Sequence, residues 1–338
     1  MSNKKRVLTG ITTSGVPHIG NLAGAILPAI KTSKDTSTDS FFFLADYHSL
    51  IKNKNPELTY ASSFEIAACW LACGLDPNEV IFYRQSDIPH IMELAWILSC
   101  VTSKGLMNRA HAYKAAISEN ETKENKDLEA GITMGLFNYP VLMSADILMF
   151  NADIVPVGQD QKQHVEMTRD IASRFNNQYG EVFTIPNVSI EEHTGILPGI
   201  DGRKMSKSYN NVIPIFLKTD DLRKRIMKIK TDSKTPGQTK EKNESSVFNI
   251  YRAFASDQQT KNLANQYKQG IAWGEAKELL FELLEEKISP FRKSYQELIK
   301  DRSGLEKILL LGAEKALDVS SPIIKQARKA VGIKGLGN

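Results

Sequence analysis

A chain of 338 residues is long enough for two domains with a sizeable core, and its 24% charged and 41% hydrophobic residues are the balance of an ordinary water-soluble protein. No apolar run reaches the length that spans a bilayer, and the start MSNKKRVLTG lacks the apolar stretch of a secretory signal, so the expectation is a cytoplasmic chain with no membrane partner. A formal charge of +4 is too small to argue nucleic-acid binding by itself, and the three cysteines (Cys69 and Cys73 one helical turn apart, Cys100 alone) give neither a disulfide framework nor a metal-binding pair and read as reduced core thiols.

The first half alternates short β-rich runs with longer helical ones. Residues 6–8, 41–45, 80–83 and 154–157 predict strands, and residues 22–34, 58–73, 91–102 and 136–150 predict helices. Such alternation argues an α/β fold, a Rossmann-like doubly wound parallel sheet with helices on both faces. Residues 119–129 (ENETKENKDLE) read as an exposed polar loop, and the turn-prone passage 194–211 closes the α/β part. Beyond Ile213 no further strand is evident. Residues 222–229 and 248–254 predict short helices, residues 275–288 an amphipathic one carrying Leu279, Leu280, Leu283 and Leu284, and Pro290 is expected to open the next. The division this predicts is a catalytic α/β domain over 1–213, a smaller all-helical domain over 214–320, and a C-terminal helix or tail over 321–338 that packs back on the first. Between residues 216 and 250 nine Lys or Arg face five acids, a local excess equal to that of the whole chain. A solvated face is the common reason for such a cluster, but a phosphate backbone docks on one too.

One stretch concentrates the chemistry. In residues 143–169, Met143 and Asp146 are three apart and share a helix face, so a carboxylate sits among Leu, Met and Ile and needs a hydrogen-bond donor. A strand then ends in Gly158, Asp160 stands where a helix cap would, with Gln163 completing a capping box, and Val165, Thr168, Ile171, Ala172 and Phe175 follow at helical spacing. This stretch is either a plain helix, strand and capped helix with Asp146 bonded to a backbone amide, or a pocket at the carboxyl end of a parallel strand where Asp146 accepts a ligand N–H.

Near the start, Gly10-Ile-Thr-Thr-Ser14-Gly15-Val-Pro17-His18-Ile19-Gly20-Asn21 follows the first strand and opens the first long helix, a place where backbone amides and the helix dipole suit a triphosphate. Taken singly, the glycines serve turn geometry and His18 is a surface histidine. The run is neither G-x-G-x-x-G nor G-x-x-x-x-G-K-[ST], which removes dinucleotide folds and P-loop kinases. After the last strand, Lys204-Met205-Ser206-Lys207-Ser208 puts two lysines on a loop able to close over a polyanion.

In this order the motifs resemble those of the class I aminoacyl-tRNA synthetases: residues 18–21 match HIGH except that Asn21 replaces the last His, and residues 204–208 match KMSKS in full. The run Asp153-Ile-Val-Pro-Val-Gly-Gln-Asp-Gln-Lys-Gln-His164, preceded by Pro140-Val-Leu-Met-Ser-Ala-Asp-Ile-Leu148, is similar to the tryptophan-specific branch, and the resemblance extends from about Arg6 to Gly332 with Thr231-Asp-Ser233 included. It implies ATP contacts from Thr12, Thr13, Ser14, His18, Gly20, Asn21, Gly158, Gln159 and Asp160, with Ile196 and Leu197 against the adenine. Lys204, Met205, Ser206, Lys207 and Ser208 would form the loop over the phosphates, with Lys204, Lys207 and His18 in the catalytic roles. Tryptophan would lie against Leu8, Gly10, Met143, Val155 and Val157, its indole N–H on Asp146, with His48 and Gln161 nearby. The implied reaction uses ATP as substrate with Mg²⁺, no protein metal site, tRNA(Trp) as second substrate, and a homodimer. Two departures from the family pattern stand out: Leu8 and Thr12 flank Gly10, and Arg109-Ala-His-Ala-Tyr-Lys114 replaces Arg-Met-Thr-Gln-Phe-Lys, which leaves the substrate's amino group to Tyr113, Lys114 or Tyr47. The rival readings are a tyrosine-specific synthetase, a nucleotidyltransferase and a non-catalytic RNA-binding paralogue.

Overall fold

The computed structural model describes residues 4–13, 15–159, 161–190 and 197–333. Strand β1 (Lys5–Thr12) is followed by α1 (Ile19–Asn21), which runs through a π-helical turn (Leu22–Ile26) into α2 (Leu27–Ser33). Then come β2 (Thr38–Ala45), α3 (Asp46–Ser49), α4 (Pro56–Ala72), β3 (Ile81–Arg84), α5 (Pro89–Val101), α6 (Lys104–Met107), α7 (His111–Thr122), α8 (Met134–Leu148), β4 (Ile154–Val157), α9 (Lys162–Tyr179) and β5 (Asn187–Ile190). The rest of the described chain is helical: α10 (Thr219–Met227), α11 (Ser246–Phe254), α12 (Asp257–Gln269), α13 (Trp273–Leu298) and α14 (Arg302–Ala330).

All five strands are parallel, in the order β3-β2-β1-β4-β5. The order reverses beside β1, so its carboxyl end and that of β4 border the crevice where open α/β sheets bind ligands. Strand β2 reads Phe-Phe-Phe-Leu-Ala because both faces of the sheet are covered. Phe42 and Leu44 point to the layer of Ile11, Ile66 and Trp70, whereas Phe41, Phe43 and Leu8 point to that of Leu94, Val155 and Ile171. The first of these layers continues without a break into Leu222, Ile226, Leu280 and Leu284 of the helical half, so a shared core joins the two parts.

The helices start earlier than their apolar spacing suggests because polar caps and prolines set the ends. Asn55 accepts from the amides of Glu57 and Leu58 ahead of Pro56, and Thr133 accepts from that of Leu136. Four expectations are corrected. Strand β5 was not foreseen, since the four residues Asn-Val-Ser-Ile at a sheet edge carry little apolar signal. Pro290 does not open a helix but lies exposed inside the 26-residue α13, and on another face of that helix Arg292 pairs with Glu285 through two bonds of 2.8 Å. Residues 119–129 are not wholly loop: α7 runs to Thr122, and the carboxamide of Asn120 donates to the carbonyls of Leu128 and Ala130. Cys69 and Cys73 are buried as expected, but Cys100 is exposed, because the buried positions of α5 (Ile91, Leu94, Ile97, Leu98, Val101) leave it on the opposite face.

Helix α14 is continuous from Arg302 to Ala330, so residue 320 falls within it, and it lies against β3. Gly312 makes the approach possible: a Cβ there would overlap the carbonyl oxygen of Phe82 and stand 2.5 Å from its carbonyl carbon. No helix among the described residues is long and apolar enough to cross a membrane.

Candidate active site

At the carboxyl ends of β1 and β4 lies a cavity of about 810 Å³, a size typical of small-molecule sites. Leu8, Gly10, Thr12, Thr13 and Gly15 line it from β1 and the turn that follows, Met143 and Asp146 from α8, and Val155, Val157, Gly158 and Gln161 from β4 and its exit; His48 completes the wall. Eleven of the sequence-expected residues thus meet in one space: Leu8, Gly10, Thr12, Thr13, His48, Met143, Asp146, Val155, Val157, Gly158 and Gln161. A Cβ on Gly10 would come within 3.0 Å of the Phe43 ring, so a larger residue there would press on that ring.

Asp146 is fully buried, yet it is among the residues that line the cavity. Of the two readings of this residue, a bond to a nearby backbone amide is not what forms. Its Oδ2 is 2.8 Å from Nε2 of His48, and its Oδ1 accepts from the side-chain amide of Gln85 at 2.7 Å. Burial pushes its pKa up, while the His48 and Gln85 bonds oppose that rise. Gln85 was missed from the sequence, for a glutamine just after a strand carries no mark of burial, and it is completely enclosed.

Tyr139 was also missed, although it was legible: residues 139, 143 and 146 follow the i, i+4, i+7 spacing of one helix face. It lines the cavity, and its hydroxyl is 2.6 Å from Nε2 of His164, whose Nδ1 is 3.0 Å from Oε1 of Gln161. The three residues proposed for the substrate's amino group stand elsewhere. The Tyr113 hydroxyl donates to Glu129, Lys114 is exposed, and Tyr47 uses its backbone amide on Asp46 and Gln85; none lines the cavity.

The two sequence motifs, residues 18–21 and 204–208, converge on the rim. His18 caps the first helix, its Nδ1 accepting from the amide of Asn21 at 3.3 Å, while Oδ1 of Asn21 accepts from the amide of His18 at 3.1 Å. Burial, and then the nearby Lys207 charge, lower the His18 pKa to about 4, so the ring is neutral near pH 7 with its hydrogen on Nε2. A Cβ on Gly20 would come within 3.0 Å of that ring, so the missing side chain is what lets the imidazole lie there.

Residues 213–215 pair with 17–19, which brings the lysine loop back to the first helix. The ammonium of Lys207 donates to the carbonyl of Gly15 at 2.9 Å, and desolvation there lowers its pKa. Met205 is buried in the core, Lys204 is exposed, and the hydroxyls of Ser206 and Ser208 are 2.8 Å apart. Asn211, also unforeseen, ties this loop together by accepting from the Ser206 amide and donating to Asp201 and the Lys204 carbonyl. His18, Gly20, Asn21 and the lysine loop lie beside the cavity rather than in its wall. The hydroxyl of Thr13 is buried with no protein partner among the described residues.

Leu197 is buried and its carbonyl accepts from the Met205 amide, whereas Gln159 is exposed. Ser14, Asp160 and Ile196 lie outside the described residues. The expected capping box rests on Asp160 and so lies outside the described residues; the Gln163 carboxamide accepts from the amide of His111 and donates to the Arg109 carbonyl, and the N-cap of α9 is Gln161, without a side-chain bond.

Residues 1–288 match the family described as tRNA synthetases class I (W and Y). A tryptophan–tRNA ligase of Neisseria meningitidis is 52% identical over 334 residues, 99% of each chain. One from Pseudomonas putida is 53% identical over 332 residues, 97% of this chain and 74% of its own. The crystal structure of tryptophanyl-tRNA synthetase from Campylobacter jejuni, complexed with ADP and tryptophan, superposes with a TM-score of 0.87 at 39% identity, covering 97% of this chain and 99% of that one. Together with the cavity at the switch point, these likenesses mean that the chain belongs to the class I tRNA synthetases, in the bacterial-type tryptophanyl branch.

Proposed function

We propose that this chain activates L-tryptophan with ATP, forming tryptophanyl-adenylate and pyrophosphate, and then passes tryptophan to the 3′ end of tRNA(Trp). The observation that carries the reading is Asp146, a buried acidic residue that lines the cavity together with the apolar Met143, Val155 and Val157. A carboxylate held by two donors keeps lone pairs for a third, and the indole N–H is such a donor. Phenylalanine and tyrosine put no N–H there, and sites of this kind discriminate by about 10⁴-fold or more.

The substrate's own carboxylate attacks the α-phosphorus and pyrophosphate leaves, so the chain's residues orient the reactants and stabilise charge. His18, neutral with a donor at Nε2, and Lys207, anchored beside the Gly15 turn, are set for the phosphates, with Lys204 and the Ser206 and Ser208 hydroxyls completing the loop. Gly20, Asn21, Gly158, Gln159, Asp160 and Leu197 belong to the same proposed nucleotide site, and the unpartnered Thr13 hydroxyl is a further donor for it. Magnesium would come with the phosphates: among the described residues no group of three His, Cys, Asp or Glu could hold it, and it keeps much of its water when phosphates bind it. Tyr139 and Gln161, at the polar end of the cavity, are the proposed contacts of the substrate's amino group.

The helical part, residues 214–320, is the proposed anticodon reader. Its basic surface is made by Lys218, Arg223, Lys224, Lys228, Lys230 and Lys242, all exposed. Two members of the sequence cluster turn inward: Arg225 donates to the carbonyls of Asn210 and Val212, and Lys240 is buried over the Trp273 ring. A homodimer and a cytoplasmic location complete the proposal; sedimentation as monomers at working concentration would overturn the dimer. The decisive experiment is ATP–pyrophosphate exchange across the twenty amino acids, with and without tRNA. Tryptophan alone is expected to support exchange; exchange driven by tyrosine or by none would refute the reading.

A further inference from the structure

We infer that Gln85 is a positioning residue for amino-acid selection: anchored on the backbone of Tyr47, its amide holds one oxygen of Asp146 as a pure acceptor, so that the carboxylate meets the substrate as a base and not as an acid. The inference rests on the role of Asp146 in the proposed function.

The carboxamide of Gln85 can lie only one way round. Nε2 of Gln85 is 2.7 Å from Oδ1 of Asp146, and Oε1 is 3.1 Å from the amide nitrogen of Tyr47, an N–H it shares with Asp46. Flipping the carboxamide would set oxygen against oxygen at Asp146 and NH₂ against N–H at Tyr47, so both ends forbid it. Gln85 is completely buried, which leaves water no part in the arrangement. The donor side of the amide is therefore committed to Asp146, and Oδ1 cannot carry the acid hydrogen while that bond stands.

Asp146 needs this help. Its burial favours the protonated form, and so does the nearby negative charge of Asp46. From β3, Tyr83 faces it with a buried hydroxyl that has no partner among the described residues. Opposing protonation are His48 on Oδ2 and Gln85 on Oδ1. A protonated Asp146 would present O–H toward an indole N–H, donor against donor, and selectivity would fall. Gln85 does not touch the cavity, so it acts through Asp146 alone.

The test compares kcat/KM for L-tryptophan with that for β-(3-benzothienyl)-L-alanine, which has sulfur where the indole has N–H, across a pH series. Gln85→Met keeps the volume and removes the donor. It is expected to cut the tryptophan preference about tenfold at pH 7, the scale of one hydrogen bond to a charged group, and to regain it as pH rises and Asp146 ionises. Gln85→Glu keeps the Tyr47 anchor and, while the pair holds one proton, still donates to Asp146; once that proton leaves, two adjoining carboxylates repel and Asp146 is driven from its place, so the preference should hold near neutral pH and fall as pH rises. In both variants KM for ATP should stay at the wild-type value. Preference ratios that equal wild type, or that change without any pH dependence, would mean that Gln85 only fills space and would overturn the inference. If one variant fails to fold, the other carries the test. A wild-type enzyme that does not prefer tryptophan over the sulfur analogue would instead refute the Asp146 reading itself, and this inference with it.

Discussion

Asp146→Asn separates recognition from folding more cleanly than any other single change in this site. The substitution keeps the size of the side chain but leaves one acceptor oxygen where there were two. Gln85 can only donate, so the new carboxamide must turn its oxygen to Gln85 and its NH₂ to His48, whose Nε2 can become an acceptor by moving its hydrogen to Nδ1. Folding is thereby satisfied. The indole N–H now meets a neutral, partly used oxygen in place of a charged one, and the difference between a charge-assisted and a neutral hydrogen bond is about 1 to 2.5 kcal/mol, or about 5- to 60-fold in kcat/KM for tryptophan. Stability should move the other way. The folded pKa of Asp146 is raised by burial, so the stability linked to its protonation is fully present below the unfolded carboxyl pKa and is lost as pH rises through the folded value. Asn removes that titration, and the variant should unfold at the same or a higher denaturant concentration near pH 7.5, with the advantage shrinking toward pH 4. The wild-type kcat/KM for tryptophan should also fall on acidification, beginning above the ordinary aspartate range, and the variant should lack that limb. Tryptophan-dependent ATP–pyrophosphate exchange measures the first effect and urea unfolding at the two pH values the second. A folded variant whose kcat/KM for tryptophan stays within about twofold of wild type would refute the reasoning, since one hydrogen bond to a charged group is worth more than that.

Two further predictions follow from the rim and from the C-terminal helix. Lys204→Ala and Lys207→Ala should slow adenylate formation by about 10²-fold, the scale for removing one charge-stabilising donor, with tryptophan binding in the absence of ATP unchanged; a parallel loss of tryptophan affinity, read by equilibrium dialysis, would count against the loop role. Gly312→Ala places a methyl group against the Phe82 carbonyl and should destabilise the fold by about 3 kcal/mol, the upper end of overpacking costs; an unchanged urea midpoint would show that α14 does not need this approach to β3.

The sheet was legible because its signals are redundant. Strand β2 announces itself as Phe-Phe-Phe-Leu-Ala, and strand β4 was placed at its observed bounds by an apolar run ending in glycine. The cavity wall was legible for a related reason: Met143 and Asp146 share a helix face, and a lone carboxylate in apolar surroundings is a physical anomaly that demands a partner. Its partners were legible only in part: His48 was expected near the pocket from the resemblance but not as a partner of Asp146, and Gln85 was not expected at all. They follow two other strands, 98 and 61 residues away, and only the register of β1, β2 and β3 carries them to Asp146. Asn211 and the inward turn of Lys240 and Arg225 share that property, since their side chains answer to groups that the chain path, and not local composition, supplies. Pro290 misled for the opposite reason: the local rule that a proline ends or opens a helix is overridden there, since Pro290 stands on an exposed face of a helix whose buried face carries on through Leu284, Ile288 and Arg292.

The single departure within the first motif has a structural reason of the same kind. The position of Asn21 is the third of the helix, from which a side chain reaches back to the amide of the cap, and its Oδ1 accepts there at 3.1 Å. In asparagine and in histidine the acceptor atom is bonded directly to Cγ, so Oδ1 of the one can stand where Nδ1 of the other would. What this chain uses at this place is thus an acceptor of short, fixed reach. The reciprocal bond, from the Asn21 amide to Nδ1 of His18, occupies the ring nitrogen that could otherwise hold the hydrogen and leaves Nε2 as the donor. The exchange at residue 21 therefore keeps the hydrogen-bonding state of residue 18, which is the imidazole that points its donor at the nucleotide in the proposed site.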